Sequence, residues 1–216
     1  MKLETLAFLA VTVLFGNVLA ALCSVVFWML ARAKGFPISQ VQFLYGPCLR
    51  LLQISGTKFT LGIIPYGSSV LYDIVQFRQQ PLLWRCAVVL SGPGLLILFA
   101  LSTLGAEAAW SHFLSGFQEL LTGPLHPLTT AQHLIAELHH IFDQSLLQMA
   151  GVIAAKIAAF SLIPGLGPAF VQILREIIGR DENEDRTLNT ILTVHVLILF
   201  VISLLWAYSI VHYAVN

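Results

Sequence analysis

Residues 23–35 read CSVVFWMLARAKG: a cysteine and a serine inside an apolar run, then a basic turn closed by a glycine. Upstream, the stretch from Leu6 to Ala31 carries no charge. Crossing the hydrocarbon of a bilayer takes about 20 apolar residues, and this run exceeds that before it meets Arg32 and Lys34. A cleaved secretory leader is the competing reading. VLA at 18–20 resembles a cleavage site, but the apolar run continues well beyond it and the basic flank looks like a stop-transfer signal. Leu22 is too large for a lipoprotein cleavage site before Cys23. The run is read as a retained membrane helix.

Composition extends that reading to the whole chain. Of 216 residues, 57% are hydrophobic and 10% charged, and the mean hydropathy is +0.84. Soluble domains carry about 25% charged residues, so the chain is an integral membrane protein. A formal net charge of zero excludes a nucleic-acid partner, which would call for a basic surface. Cys86 to Gly105 forms a second span, softly interrupted at Gly92-Pro93-Gly94. Leu146 to Leu174 forms a third, broken by PGLGP and carrying Lys156. Leu188 to Tyr213 forms the fourth. The expected fold is an all-α membrane protein, one membrane domain over 1–216, with four transmembrane helices near 6–31, 86–105, 146–174 and 188–213.

Short loops rich in lysine and arginine stay in the cytoplasm. The first connection holds Arg32, Lys34, Arg50, Lys58, Arg78 and Arg85 against Asp73, and the last holds Arg175, Arg180 and Arg186. The connection from Ala106 to Asp143 has acids and neither lysine nor arginine. Both termini are therefore expected outside. The cysteines, Cys23, Cys48 and Cys86, fall in a helix, in the first connection and at a cytoplasmic boundary, which gives no reason for an extracytoplasmic disulfide.

The first cytoplasmic connection is not a polar linker. ISQVQFLYGPCLRLL and GTKFTLGIIPYGSSVLY read as strand-like pieces parted by turns at Gly46-Pro47, Ser55-Gly56 and Pro65-Tyr66-Gly67. They predict a β-hairpin-like segment over about 36–72, able to re-enter the membrane only where protein or a wet cavity satisfies its amides. The outer segment, about 107–144, predicts two short amphipathic helices lying at the surface, with Leu134, Leu138, Ile141 and Phe142 as an apolar stripe. RDENEDRT at 180–187 reads as a solvated turn. There is no internal repeat and no low-complexity tract.

The order of these parts resembles the site-2 protease family of intramembrane zinc metalloproteases. The pieces are LARAKGFPISQVQFLYGP, TKFTLGIIPYGSSV, PLLWRCAVVLSGPGLLILFA and AAFSLIPGLGPAF, spanning Val18 to Phe170. The resemblance implies HExxH on the first helix before an alanine-arginine turn, a cytoplasmic re-entrant hairpin, and an NxxPxxxLDG motif on the third helix whose aspartate completes a zinc site. Counted back from Ala31-Arg32, the HExxH histidines fall on Cys23 and Phe27 and the general-base glutamate on Ser24. FSLIP aligns Ser161 with the family's asparagine and Ala169 with its aspartate. A catalytic zinc needs three protein ligands and an open position, so these degenerate positions imply no zinc, no cofactor and no catalytic residue.

Other residues weigh less. Cys23 and Ser24 have no base nearby in sequence and read as small packing residues. A lysine inside a span is costly and is usually paired or functional. Lys156 is read as snorkelling outward or as meeting a carboxylate from another subunit, since no acid lies in any expected span. Thirteen residues, about 20 Å of helix, set it apart from Ala169. His133, Glu137 and His140 share one helical face and are weak candidates for an outer metal site. His195 reads as an interior hydrogen-bonded residue.

The expected function is that of a catalytically inactive relative in the bacterial cytoplasmic (inner) membrane. Its partners are the lipid bilayer and another membrane protein or transmembrane segment. The resemblance and the strand pattern place capture on an exposed hairpin edge, Phe59, Thr60, Leu61, Ile63 and Pro65, with Lys156 as a polar contact. The alternatives are a structural accessory subunit of a larger complex and a metalloenzyme with relocated ligands.

Overall fold

The basic turn ends the first helix by backbone geometry. The helix over Leu3–Ala33 (α1) gives way to Gly35, whose φ of +72° is the left-handed conformation that stops helices. Gly35 N donates to Arg32 O at 2.8 Å and Phe36 N to Ala31 O at 3.0 Å, so the last carbonyls of the helix are satisfied as the chain turns.

The computed structural model describes residues 3–164, 167, 169–173 and 182–215, without the side chains of 66, 182–192, 195 and 196. His195, as a side chain, lies outside the described residues. After α1 come β1 (Ile38–Ile54), β2 (Thr57–Tyr72), α2 (Ile74–Arg78), α3 (Leu82–Leu104), α4 (Ala106–Leu125), α5 (Thr130–Gln144), α6 (Leu146–Leu162) and α7 (Glu182–Val215). Among the described residues, three stretches are long and apolar enough to cross a membrane: α1, α3 and the Leu197–Val215 part of α7.

The expected third span is shorter than the sequence suggested. α6 has 17 residues, about 25 Å. It stops because Ile163 precedes Pro164 and takes ψ 123°, as residues before proline do. Gly167 then folds back so that its N–H donates to Ile163 O at 2.7 Å. A Cβ there would sit 2.3 Å from Ser161 O, so only glycine fits. Residues 169–173 are helical again, and Leu174 lies outside the described residues. The last helix is longer than expected, since the acidic residues from Glu182 onward are helical rather than a turn. Acids in a first turn suit the positive end of a helix. Arg180 and Asp181 are outside the described residues. The soft break at Pro93 does not occur, and α3 runs through it.

The chain is mostly helical, and β1 and β2 are antiparallel strands joined at Ser55-Gly56. Both bend, so each contributes twice to one sheet. Ile54 faces Thr57 and Cys48 faces Gly62 across the hairpin turn; Val41 faces Phe59 on one side and Val70 on the other. The spatial order is therefore 48–54, 57–62, 40–43, 68–72.

Two apolar clusters hold the parts together. One, formed by α1, α3, α4, α5 and α6, contains Phe8, Leu96, Phe113, Met149 and the alanines 154, 155, 158 and 159 of α6. The other gathers Ala31, Phe36, Val41, Phe59, Phe77 and Ala169 where α1 meets the sheet. α4 and α5 pack into the bundle. α4 packs along α6, with Gly116 against Ala159, and Trp206 Nε1 of α7 donates to Leu120 O at 3.4 Å. α5 follows α7, where Gln132 Nε2 donates to Ser209 O at 2.9 Å. The small face of α4 (Ala109, Gly116) and the α6 alanines permit this close contact.

Candidate functional site

One side of α1 is a ladder of polar contacts to the sheet. Arg32 Nη1 donates to Ser55 O at 3.2 Å, and Trp28 Nε1 to Thr57 Oγ1 at 3.1 Å. Ser24 Oγ and Ser68 Oγ lie 2.7 Å apart, and Ser68 Oγ also donates to Ala20 O at 2.7 Å. At the middle of the helix, Asn17 Nδ2 donates to Pro65 O at 3.2 Å, and Asn17 Oδ1 accepts from Gly67 N at 3.0 Å. The four rungs lie on one face because they recur near helical spacing. β2 therefore runs beside α1 from its basic end to its midpoint.

Cys23, Ser24, Phe27 and Ala169, the positions that the resemblance singled out, all pack against neighbouring residues. Cys23 Sγ faces Gly92 O of α3 at 3.6 Å. Ser24 is buried and satisfied by Ser68. The Phe27 ring stacks on Tyr72 at 5.5 Å and on Phe77 at 6.2 Å. Ala169 is buried in the same aromatic cluster that Phe27 packs against, and the neighbouring Gln172 amide donates to Tyr72 Oη. Phe27 and Ala169 thus share one cluster, while Cys23 joins the other.

The expected capture edge needs correcting. Phe59, Thr60 and Leu61 are not an edge: each is flanked by Val41, Gln42 and Phe43 on one side and by Leu52, Arg50 and Leu49 on the other. Phe59 and Thr60 are also buried. Ile63 remains 69% exposed, and the Pro65 carbonyl is taken by Asn17. The open edge is instead the Cys48–Ile54 part of β1, which pairs on one side only and exposes Leu49, Leu51, Leu52 and Ile54.

Lys156 finds its counter-ion within the chain. Its ammonium pairs with Glu119 of α4, both side chains being about a quarter exposed. The pair is not legible in any one span, because the acid comes from α4, which packs alongside α6. His133, Glu137 and His140 stay apart from any metal geometry, and His140 Nε2 instead meets Gln144 Nε2 at 2.9 Å. Among the described residues no three His, Cys, Asp or Glu side chains come together to hold a metal ion. His112 was not singled out in sequence. Burial pushes its imidazole below the ordinary 6.5, Lys156 adds to that, and Glu137 and Glu119 oppose it.

No curated protein and no solved structure matches the chain. A family model does. The model of Peptidase family M50, the site-2 protease family, matches residues 27–202, a span that starts at Phe27 and leaves Cys23 and Ser24 before it. With that match over most of its length, the chain belongs to Peptidase family M50.

Proposed function

We propose that the chain is a catalytically inactive member of this family that holds an extended or membrane segment of another membrane protein. The observation that carries the reading is the content of the degenerate positions. Cys23, Phe27 and Ala169 offer one sulfur between them where a catalytic zinc takes three protein ligands, and the Ser24 hydroxyl is committed to Ser68. A serine does not take a proton from water at neutral pH as a carboxylate does. These residues do not fit zinc, and no hydrolytic step is derived through it.

The sheet supplies the capture surface. Running beside α1 to its midpoint, it is suited to re-enter the membrane with its amides satisfied by protein. Strand addition to the Cys48–Ile54 edge uses backbone hydrogen bonds for affinity and side-chain pockets for choice. Leu51, which has no partner in the register, sits at an irregularity where proline is tolerated on an edge strand.

Native purification of the full chain followed by mass spectrometry tests the proposal. A membrane protein should copurify and be weakened by Leu51→Pro. A second reading, a structural subunit of a larger complex, is favoured by the outward polar face of α5, with His133, Glu137 and His140 exposed beside membrane helix α7. Copurification that survives Leu51→Pro but fails with His133→Ala and His140→Ala together would replace capture by that reading.

A further inference from the structure

A cavity of about 250 Å³ lies between α4, α5, α6 and α7, remote from the sheet. Its walls are apolar, chiefly Leu134, Leu138 and Ile141 of α5 and Ile153 and Ile157 of α6, with Trp206 of α7 at one side. Leu134, Leu138 and Ile141 of the apolar α5 stripe therefore line this cavity. Three charged side chains reach the same cavity: Lys156, Glu119 and Glu137. Lys156 and Glu119 neutralise each other. Glu137, exposed at the rim, has no salt bridge to any described residue, so the mouth of the cavity carries one formal negative charge beside its apolar walls.

We propose that this cavity is a binding site for a small amphiphilic monocation, an alkylammonium whose chain fills the cavity and whose head meets Glu137 and Glu119. An apolar pocket with a few convergent polar groups is the usual form of a small-molecule site. Its size suits one short chain: at about 30 Å³ per water-sized group, it holds roughly eight. The sign of the charge selects the head. A carboxylate amphiphile meets two like charges and one lysine already engaged, whereas an ammonium supplies the missing counter-ion. His112 faces the same charges, and burial together with Lys156 keeps it toward its neutral form, so it does not cancel Glu137. The site is independent of the degenerate family positions and of the capture edge.

The test uses the full chain in nanodiscs of phosphatidylcholine, titrated with octylammonium, octanoate and octanol and followed by calorimetry. Octylammonium should bind saturably at one site per chain, and neither octanoate nor octanol should compete with it. Glu137→Gln, a change at an exposed rim, should weaken binding at least tenfold, and Leu138→Phe, which fills the cavity, should do likewise. Octanol competing as well as the ammonium would overturn the proposal by showing an apolar site without charge selection. Unchanged affinity in both variants would overturn it by showing partition into lipid.

Discussion

Ser24 and Ser68 share a hydrogen bond of 2.7 Å between α1 and β2, at the position where the family resemblance places a general-base glutamate. Ser68 completes the arrangement by donating to Ala20 O, which assigns the shared proton to Ser24. At that position the serine ties the sheet to the helix. Ser24→Ala should cost about 1 kcal/mol, the net worth of one such bond. Ser68→Ala, which removes both contacts, should cost more. Thermal unfolding of the full chain in an uncharged detergent measures both.

Asn17 provides the farthest tie. Its carboxamide accepts from Gly67 N and donates to Pro65 O, the two groups that a neighbouring strand would otherwise engage. Asn17→Leu keeps the volume and leaves both peptide groups without this partner. Pro65 is exposed and Gly67 half-buried, so each lost bond should cost about 1 kcal/mol, its net worth. Amide exchange at Gly67 should accelerate in the variant, while exchange at Phe59, held between two strands, should change far less.

The contrast between these residues shows what was legible in the sequence. The end of α1 was readable because glycine after a basic turn is a local signal, and the strands because β-branched and aromatic residues lie between turns. Which strand forms the edge was not readable. Alternation along 57–65 reports two faces of a sheet and says nothing of neighbours, and the bends that bring Val41 between Phe59 and Val70 are tertiary. Likewise Glu119 and Lys156 are 37 residues apart, in segments expected to lie in different environments. Only the packing of α4 along α6 joins them.

That ion pair makes a prediction of its own. Removing one partner leaves a partly buried charge uncompensated, whereas removing both does not. Because each side chain is about a quarter exposed, Glu119→Gln should cost about 1–3 kcal/mol, below the range for fully buried pairs. Lys156→Met should cost a similar amount. The double variant should be more stable than the sum of the singles implies, so a double-mutant cycle in thermal unfolding reads the coupling directly.

The charges around Lys156 should also make stability depend on pH through His112. Its folded pKa lies below the ordinary 6.5, through burial first and Lys156 second. As pH falls, the unfolded chain therefore binds the proton before the folded one does, and stability declines. The contribution is complete above about 6.5 and is lost as the pH drops below it. Other histidines titrate in the same range, so the informative quantity is the difference between the natural chain and His112→Asn, which should lose less stability on acidification. Glu119 and Glu137 raise the His112 pKa and Lys156 lowers it. Glu137→Gln should accordingly steepen the acid loss and Lys156→Met should soften it. Unfolding midpoints from pH 7.5 to 5 give all four slopes, and a His112→Asn slope equal to that of the natural chain would remove His112 from the account.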